Sequence, residues 1–328
     1  MLNILFLTTF FVIPVAITFN SNGGGNFSQS PFDRNYTTCM KGVAIIMIML
    51  SHCTSHWGVY YTPFGSIGVS MFLLLSGFGL NESYKRKGLR HFWNRRFLRV
   101  MIPFVIAISF VTLFSGRTFE WFLGNVVLIY PYYWFIAFII YCYIAFWIVS
   151  KILSKEWRWI MLLVLGIPCF FYVNSNQAFA FTIGVLLSEY RNKIGAISDS
   201  KPAVLPITGV IFITLSVMIL ALKQCDIVRN GALTSLLPYI DLCISTFCSL
   251  GTILAFCMNR YLYSNKFLYF TGVISYELYL VHYPFYTVIG STLWAMALLI
   301  ISSYFVAWIF HIVNERLCSI LTINDKIS

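Results

Sequence analysis

The chain has 328 residues, 59% of them hydrophobic and only 10% charged, with a mean hydropathy of +0.80. Soluble domains carry about 25% charged residues, so this composition excludes a water-soluble globular protein and implies a chain solvated mainly by lipid. A net charge of +11 invites a nucleic-acid reading, but Lys and Arg fall in short connections between apolar segments, a topological pattern that argues against nucleic acid as a partner.

Taken in order, Leu2 to Phe19 is long enough to cross a bilayer, with Pro14 as a tolerated kink. It lacks the basic start and small-residue cleavage site of a secretory signal, so it reads as an extra transmembrane helix. The linker Asn20 to Pro31 (NSNGGGNFSQSP) is flexible by composition. Residues 1–37 therefore form an N-terminal helix and linker, and residues 38–328 a single transmembrane domain. Further apolar spans are expected near 38–57, 64–80, 97–114, 131–150, 157–173, 177–190, 203–222, 237–257, 266–290 and 293–313. That makes an all-α polytopic membrane protein with about ten core helices and one extra at the N-terminus. The segment Thr118–Ile129 reads as a surface helix, and no internal repeat is visible.

The basic residues orient the bundle. Alternating sides from the loop at 81–99 collects Arg34, that loop, Lys151, Lys155, Arg158, Arg191, Lys193, Lys201, Arg260, Lys266, Arg316 and Lys326 on one side. The other side receives Arg117, Lys223 and Arg229. The positive-inside rule makes the first side cytoplasmic and places Met1 outside. Nine cysteines, scattered mostly through the apolar spans without a CxxC pair, form neither a disulfide framework nor a zinc site.

Three constellations carry chemistry. Lys41 and His52 lie 11 positions apart in one span, which puts them on one helix face about 16 Å apart along the axis. Ionisable groups at membrane depth are costly and mark pathways or reaction centres; a neutral imidazole there is a candidate general base. His56, one turn on, has no third ligand nearby in sequence, so no metal site is expected. Arg95, Arg96 and Arg99 open a helix before Pro103; three guanidiniums at a cytoplasmic mouth suit bidentate phosphate recognition. Ser275, Tyr279, His282 and Tyr286 form a polar stripe on a late span, and Glu277 lies in the same span on another face. Glu277 is expected either to pair with an arginine or lysine, or to orient or charge a histidine. Asp241, near the outer end of its span, reads as hydrated. Tyr132, Tyr133 and Trp134 open another span as interfacial aromatics, with sugar stacking as the alternative for such rings.

These residues resemble the membrane-bound acyltransferase-3 family, whose members O-acylate cell-surface and exported saccharides. The family's basic residue, ten intervening positions and histidine are matched by Lys41 and His52. Its G-V-x-x-F-F-x-x-S-G-F-like run is matched by Gly68 to Phe78, which contains Ser76. Its F-x-x-R-R-x-x-R-hydrophobic-x-P resembles Phe92 to Pro103, and its S-Y-x-x-Y-L-x-H is seen from Ser275 to His282. Departures are Lys41 in place of an arginine, Leu73 in place of a phenylalanine, and one residue more between Arg99 and Pro103 than the pattern has.

The resemblance implies a bacterial inner-membrane O-acyltransferase with acetyl-CoA, or another acyl-CoA, as donor substrate and no permanently bound cofactor. The acceptor would be a saccharide or lipid-linked saccharide hydroxyl. On this reading Lys41, Arg95, Arg96 and Arg99 bind the donor phosphates. His52 is the base, and Glu277 and His282 orient the acceptor or complete a proton path. Ser76, Ser275, Tyr279 and Trp134 support the acceptor. Some members carry a fused extracytoplasmic hydrolase-like domain; none is seen in this chain, so it completes transfer itself or with a separate extracytoplasmic partner protein. A transporter or flippase of lipid-linked saccharide, or a structural subunit of a surface-polysaccharide complex, would present the same buried polar residues without covalent chemistry.

Overall fold

A computed structural model describes residues 31–55, 61–129, 132–153, 155–288 and 292–324. The expected helix at Leu2–Phe19, most of its linker, and His56 lie outside the described residues. Everything regular among the described residues is helical, and seven helices there are long and apolar enough to cross a membrane.

The order is α1 (Arg34–Ser55), α2 (Thr62–Lys87), α3 (Phe92–Arg96), a π-helix (Phe97–Met101), α4 (Ile102–Phe114), α5 (Phe119–Val126), α6 (Trp134–Ile152) and α7 (Lys155–Tyr172). There follow a 3-10 turn (Ser175–Gln177), α8 (Ala180–Glu189), α9 (Arg191–Ser200), α10 (Val204–Lys223), α11 (Asp226–Arg229), a second 3-10 turn (Thr234–Leu236), α12 (Leu237–Ala255), α13 (Arg260–Tyr263), α14 (Lys266–Val273), α15 (Ser275–Val288) and α16 (Leu293–Asn324). Among the described residues each expected core span contains helix, but those at 157–173 and 177–190 yield helices shorter than the crossing length, α7 and the ten-residue α8. The one expected at 266–290 is broken at Ile274, between α14 and α15. The segment expected as a surface helix contains α5, whose Thr118 side chain accepts a hydrogen bond from the Trp121 N–H at 3.2 Å, satisfying one of the free donors of a helix start.

The chain divides into two compact units, residues 1–88 with 142–273, and residues 89–141 with 274–328. In the first, α1 packs on α2 and α14, α2 on α8 and α12, and α10 on α12. Helices in lipid gain no hydrophobic drive from meeting one another, so close approach through small residues replaces it. Gly77 of α2 lies against the Phe181 carbonyl of α8, and Gly184 of α8 against the Leu74 carbonyl of α2; a Cβ at either would overlap backbone. Gly42 and Gly272 make the same reciprocal contact between α1 and α14, beside Lys41.

Neighbouring ends of α2, α7 and α8 are locked by charge. Arg158 pairs with Glu189, both almost fully buried. Glu82 binds Arg191 at 2.8 Å and Lys85 at 3.1 Å and accepts from Ser188 Oγ at 2.7 Å. Asn81 donates to Ser188 Oγ and to Glu189. In the second unit α4 packs on α5 and α15, α15 packs on α16, and α16 reaches the π-helix.

Candidate active site

Lys41 and His52 lie on α1, each partly buried. The helix around them is tightly packed: Cys39, Met40, Ala44, Ile45 and Met49 are fully buried. A Cβ on Gly65 of α2 would come within 2.9 Å of the hydroxyl of Ser51, the residue before His52. Next to that contact, Ser66 begins a polar network missed in the sequence. Ser66 and Ser245 hydroxyls lie 2.6 Å apart, Gln177 donates to Ser66 Oγ and to its carbonyl at 3.1 Å, and Ser70 donates to Gln177 at 2.6 Å. Ser76, two turns beyond Ser70 on α2, is partly buried.

The arginines belong to the second unit. Gly88, at φ 57°, ends α2 and returns its N–H to the Tyr84 carbonyl; His91, at φ 50°, then turns the chain into α3. Arg95 and Arg96 close α3, and Arg99 sits in the π-helix. The Arg95 guanidinium donates to the Arg90 carbonyl, Arg96 lies over the Phe92 ring at 5.8 Å, and Arg99 is exposed. The expectation of one regular helix start is corrected here. The Ile102 N–H returns five residues to Phe97, and a π-turn is the way a helix absorbs one surplus residue. The π-turn lies where the chain has one residue more between Arg99 and Pro103 than the pattern it resembles.

Among the late residues, Glu277 is 3% exposed and its partners are His311 and Asn314 of α16, with His311 Nδ1 and Asn314 Nδ2 each 3.1 Å from Oε1. Of the two partners left open for this carboxylate, a basic residue or a histidine, the structure gives it a histidine, and it is His311, which the sequence reading did not single out. Its signal was present: His311, Asn314 and Cys318 recur at i, i+3 and i+7 in the last span. His282 is 1% exposed and its Nδ1 faces its own helix at Leu278 O, 3.0 Å away. Tyr279 is ringed by Tyr133, Phe135 and His282, and Ser275 is buried. Trp134 is 40% exposed, as an interfacial ring would be, whereas Tyr133 is buried and donates to Leu280 O at 2.6 Å. Asp241 is not merely hydrated: it pairs with Lys223. Among the described residues no cluster of three potential metal ligands occurs.

The family model for the acyltransferase domain of the acyltransferase-3 type matches residues 34–313, and that stretch contains each of the four motifs. The chain belongs to the acyltransferase-3 family. No curated relative and no solved structure matches it. As an acyltransferase-3 protein it is a multi-pass membrane acyltransferase, and the polar residues held at membrane depth in both units are the candidates for its chemistry.

Proposed function

We propose that this acyltransferase moves an acyl group, acetyl in the simplest case, from cytoplasmic acyl-CoA to a hydroxyl of a cell-surface or lipid-linked saccharide at a bacterial inner membrane. The observation that carries this reading is the family match over residues 34–313, within which Lys41 and His52 share one face of α1 at membrane depth. Arg95, Arg96, Arg99 and Lys41 supply the cations for the donor phosphates. His52 takes the proton of the attacking hydroxyl. The C–O bond forms, the thioester C–S bond breaks, and the proton passes to the departing thiolate, which leaves as free thiol. Trp134 and Tyr279 offer rings to the acceptor, with Ser76 and Ser275 as hydroxyl partners. Glu277 is assigned with His311 and Asn314, and His282 to the proton path. Positive-inside counting supports cytoplasmic basic loops.

The test uses purified protein in nanodiscs with radiolabelled acetyl-CoA. His52→Ala is expected to keep saturable donor binding and lose about 10²–10⁴-fold in transfer, the usual contribution of a general base. The double variant Arg95→Ala/Arg99→Ala is expected to lose donor binding. Normal transfer by His52→Ala removes the base assignment. Failure of well-folded protein to bind any acyl-CoA rejects the donor assignment and turns attention to lipid-linked saccharide transport, in which no thiol is released.

A further inference from the structure

The π-helix leaves a defect, and the second unit repairs it with side chains that no motif predicts. In the π register the donor for the Leu98 carbonyl would be residue 103, which is a proline and has no N–H. Cys318 of α16 lies there instead, with Sγ 3.5 Å from Leu98 O. Two residues on, the Val100 carbonyl accepts from the Tyr276 hydroxyl of α15 at 2.8 Å. The carbonyls on either side of Arg99 are thus held from two different helices.

Those helices are in turn tied together directly behind the holding groups. Glu277, the residue after Tyr276, accepts from Asn314, and Asn314 lies one turn before Cys318 with Oδ1 3.9 Å from its Sγ. His311 fixes the same carboxylate oxygen. A carboxylate only 3% exposed is too costly to bury without partners, and a bonded, partly buried network restricts the geometry of its members.

We propose that Tyr276, Glu277, His311, Asn314 and Cys318 are positioning residues for Arg99: they clamp the π-turn so that this exposed guanidinium is presented to the phosphates of the donor. Positioning costs or gains roughly one hydrogen bond's worth of donor affinity per member. The inference rests on the donor-phosphate role of Arg99 given above.

The experiment is a double-mutant cycle in nanodiscs, reading acetyl-CoA Kd, KM and kcat together with thermal unfolding. Tyr276→Phe keeps the ring and removes the hydroxyl; Glu277→Gln keeps the shape and removes the charge. Each is expected to weaken donor binding by about fivefold through KM, Tyr276→Phe with kcat and unfolding temperature nearly unchanged, and neither is expected to weaken donor binding further in an Arg99→Ala background. Equal weakening in both backgrounds, or a lower unfolding temperature with unchanged Kd, overturns the positioning role. Glu277→Asp, refilling the carboxylate, is expected to recover part of the loss. An Arg99→Ala protein that binds donor as the parent does rejects the donor reading itself, and the clamp's purpose with it.

Discussion

At the scale of single residues, Arg158 shows what a charge inside this bundle requires. Its side chain is 3% exposed, it pairs with Glu189, and its guanidinium lies 4.5 Å from the Tyr84 ring centre and 5.7 Å from that of Phe146. Counting basic residues along the sequence treats it as one more cytoplasmic positive charge, whereas the packing makes it a structural member of unit one. Removing one partner of a buried pair strands the other charge, at about 3–5 kcal/mol. Arg158→Ala is therefore expected to lower stability by about that amount, and Arg158→Lys by less, since the ammonium keeps the pairing but loses the planar stack. Chemical unfolding in detergent micelles checks this, and an Arg158→Ala protein as stable as its parent would show that the charge is solvated after all.

Glu277 makes the complementary point. Its need for a partner was readable from its place in an apolar span, but the partner's identity was not. His311 and Asn314 lie 34 and 37 residues further along, and only the rotation of α16 against α15 selects them over any other polar group in the last span. His282, in the same helix as Glu277, was the nearer histidine in sequence, yet it faces Leu278 O.

At the scale of elements, glycine decides which helices cross closely. The run Gly68 to Phe78 is a family-like motif in the sequence, and in the structure its Gly77 meets the Phe181 carbonyl while Gly184 meets the Leu74 carbonyl. There is no room for a side chain at that crossing. Gly184→Leu is expected to separate α2 from α8, and with them the Asn81, Glu82 and Ser188 contacts at the end of the same pair. The readout is a fall in folded, detergent-extractable protein, while Gly79→Leu, at a site where a Cβ meets nothing within 4 Å, serves as the tolerated control. The π-helix belongs to this scale too: the sequence differs from the pattern it resembles by one residue before Pro103, and only the backbone shows that a wider turn lies there.

At the scale of the whole molecule, orientation is the property that the basic loops are expected to set. Cys225, between α10 and α11, is the one exposed cysteine among the described residues, and alternating the spans along the sequence assigns it to the side poor in Lys and Arg. An impermeant maleimide is expected to label Cys225 in intact cells, and to label a Lys87→Cys variant in a Cys225→Ser background only after lysis. The reverse pattern would invert the topology and move the arginines away from the cytoplasmic donor.

The positions of the seven long apolar helices were determined by the sequence alone, because hydrocarbon thickness sets a local length and those apolar runs meet it. So were the all-helical class and the order of the four motifs. The tertiary structure decided the rest: the break at Ile274, the π-turn under Arg99, the Ser66–Gln177 network, and the partners of Glu277, Asp241 and Arg158. Each of these depends on how one helix is rotated and slid against another. That relation is set by packing between residues far apart in the chain, and no local pattern encodes it.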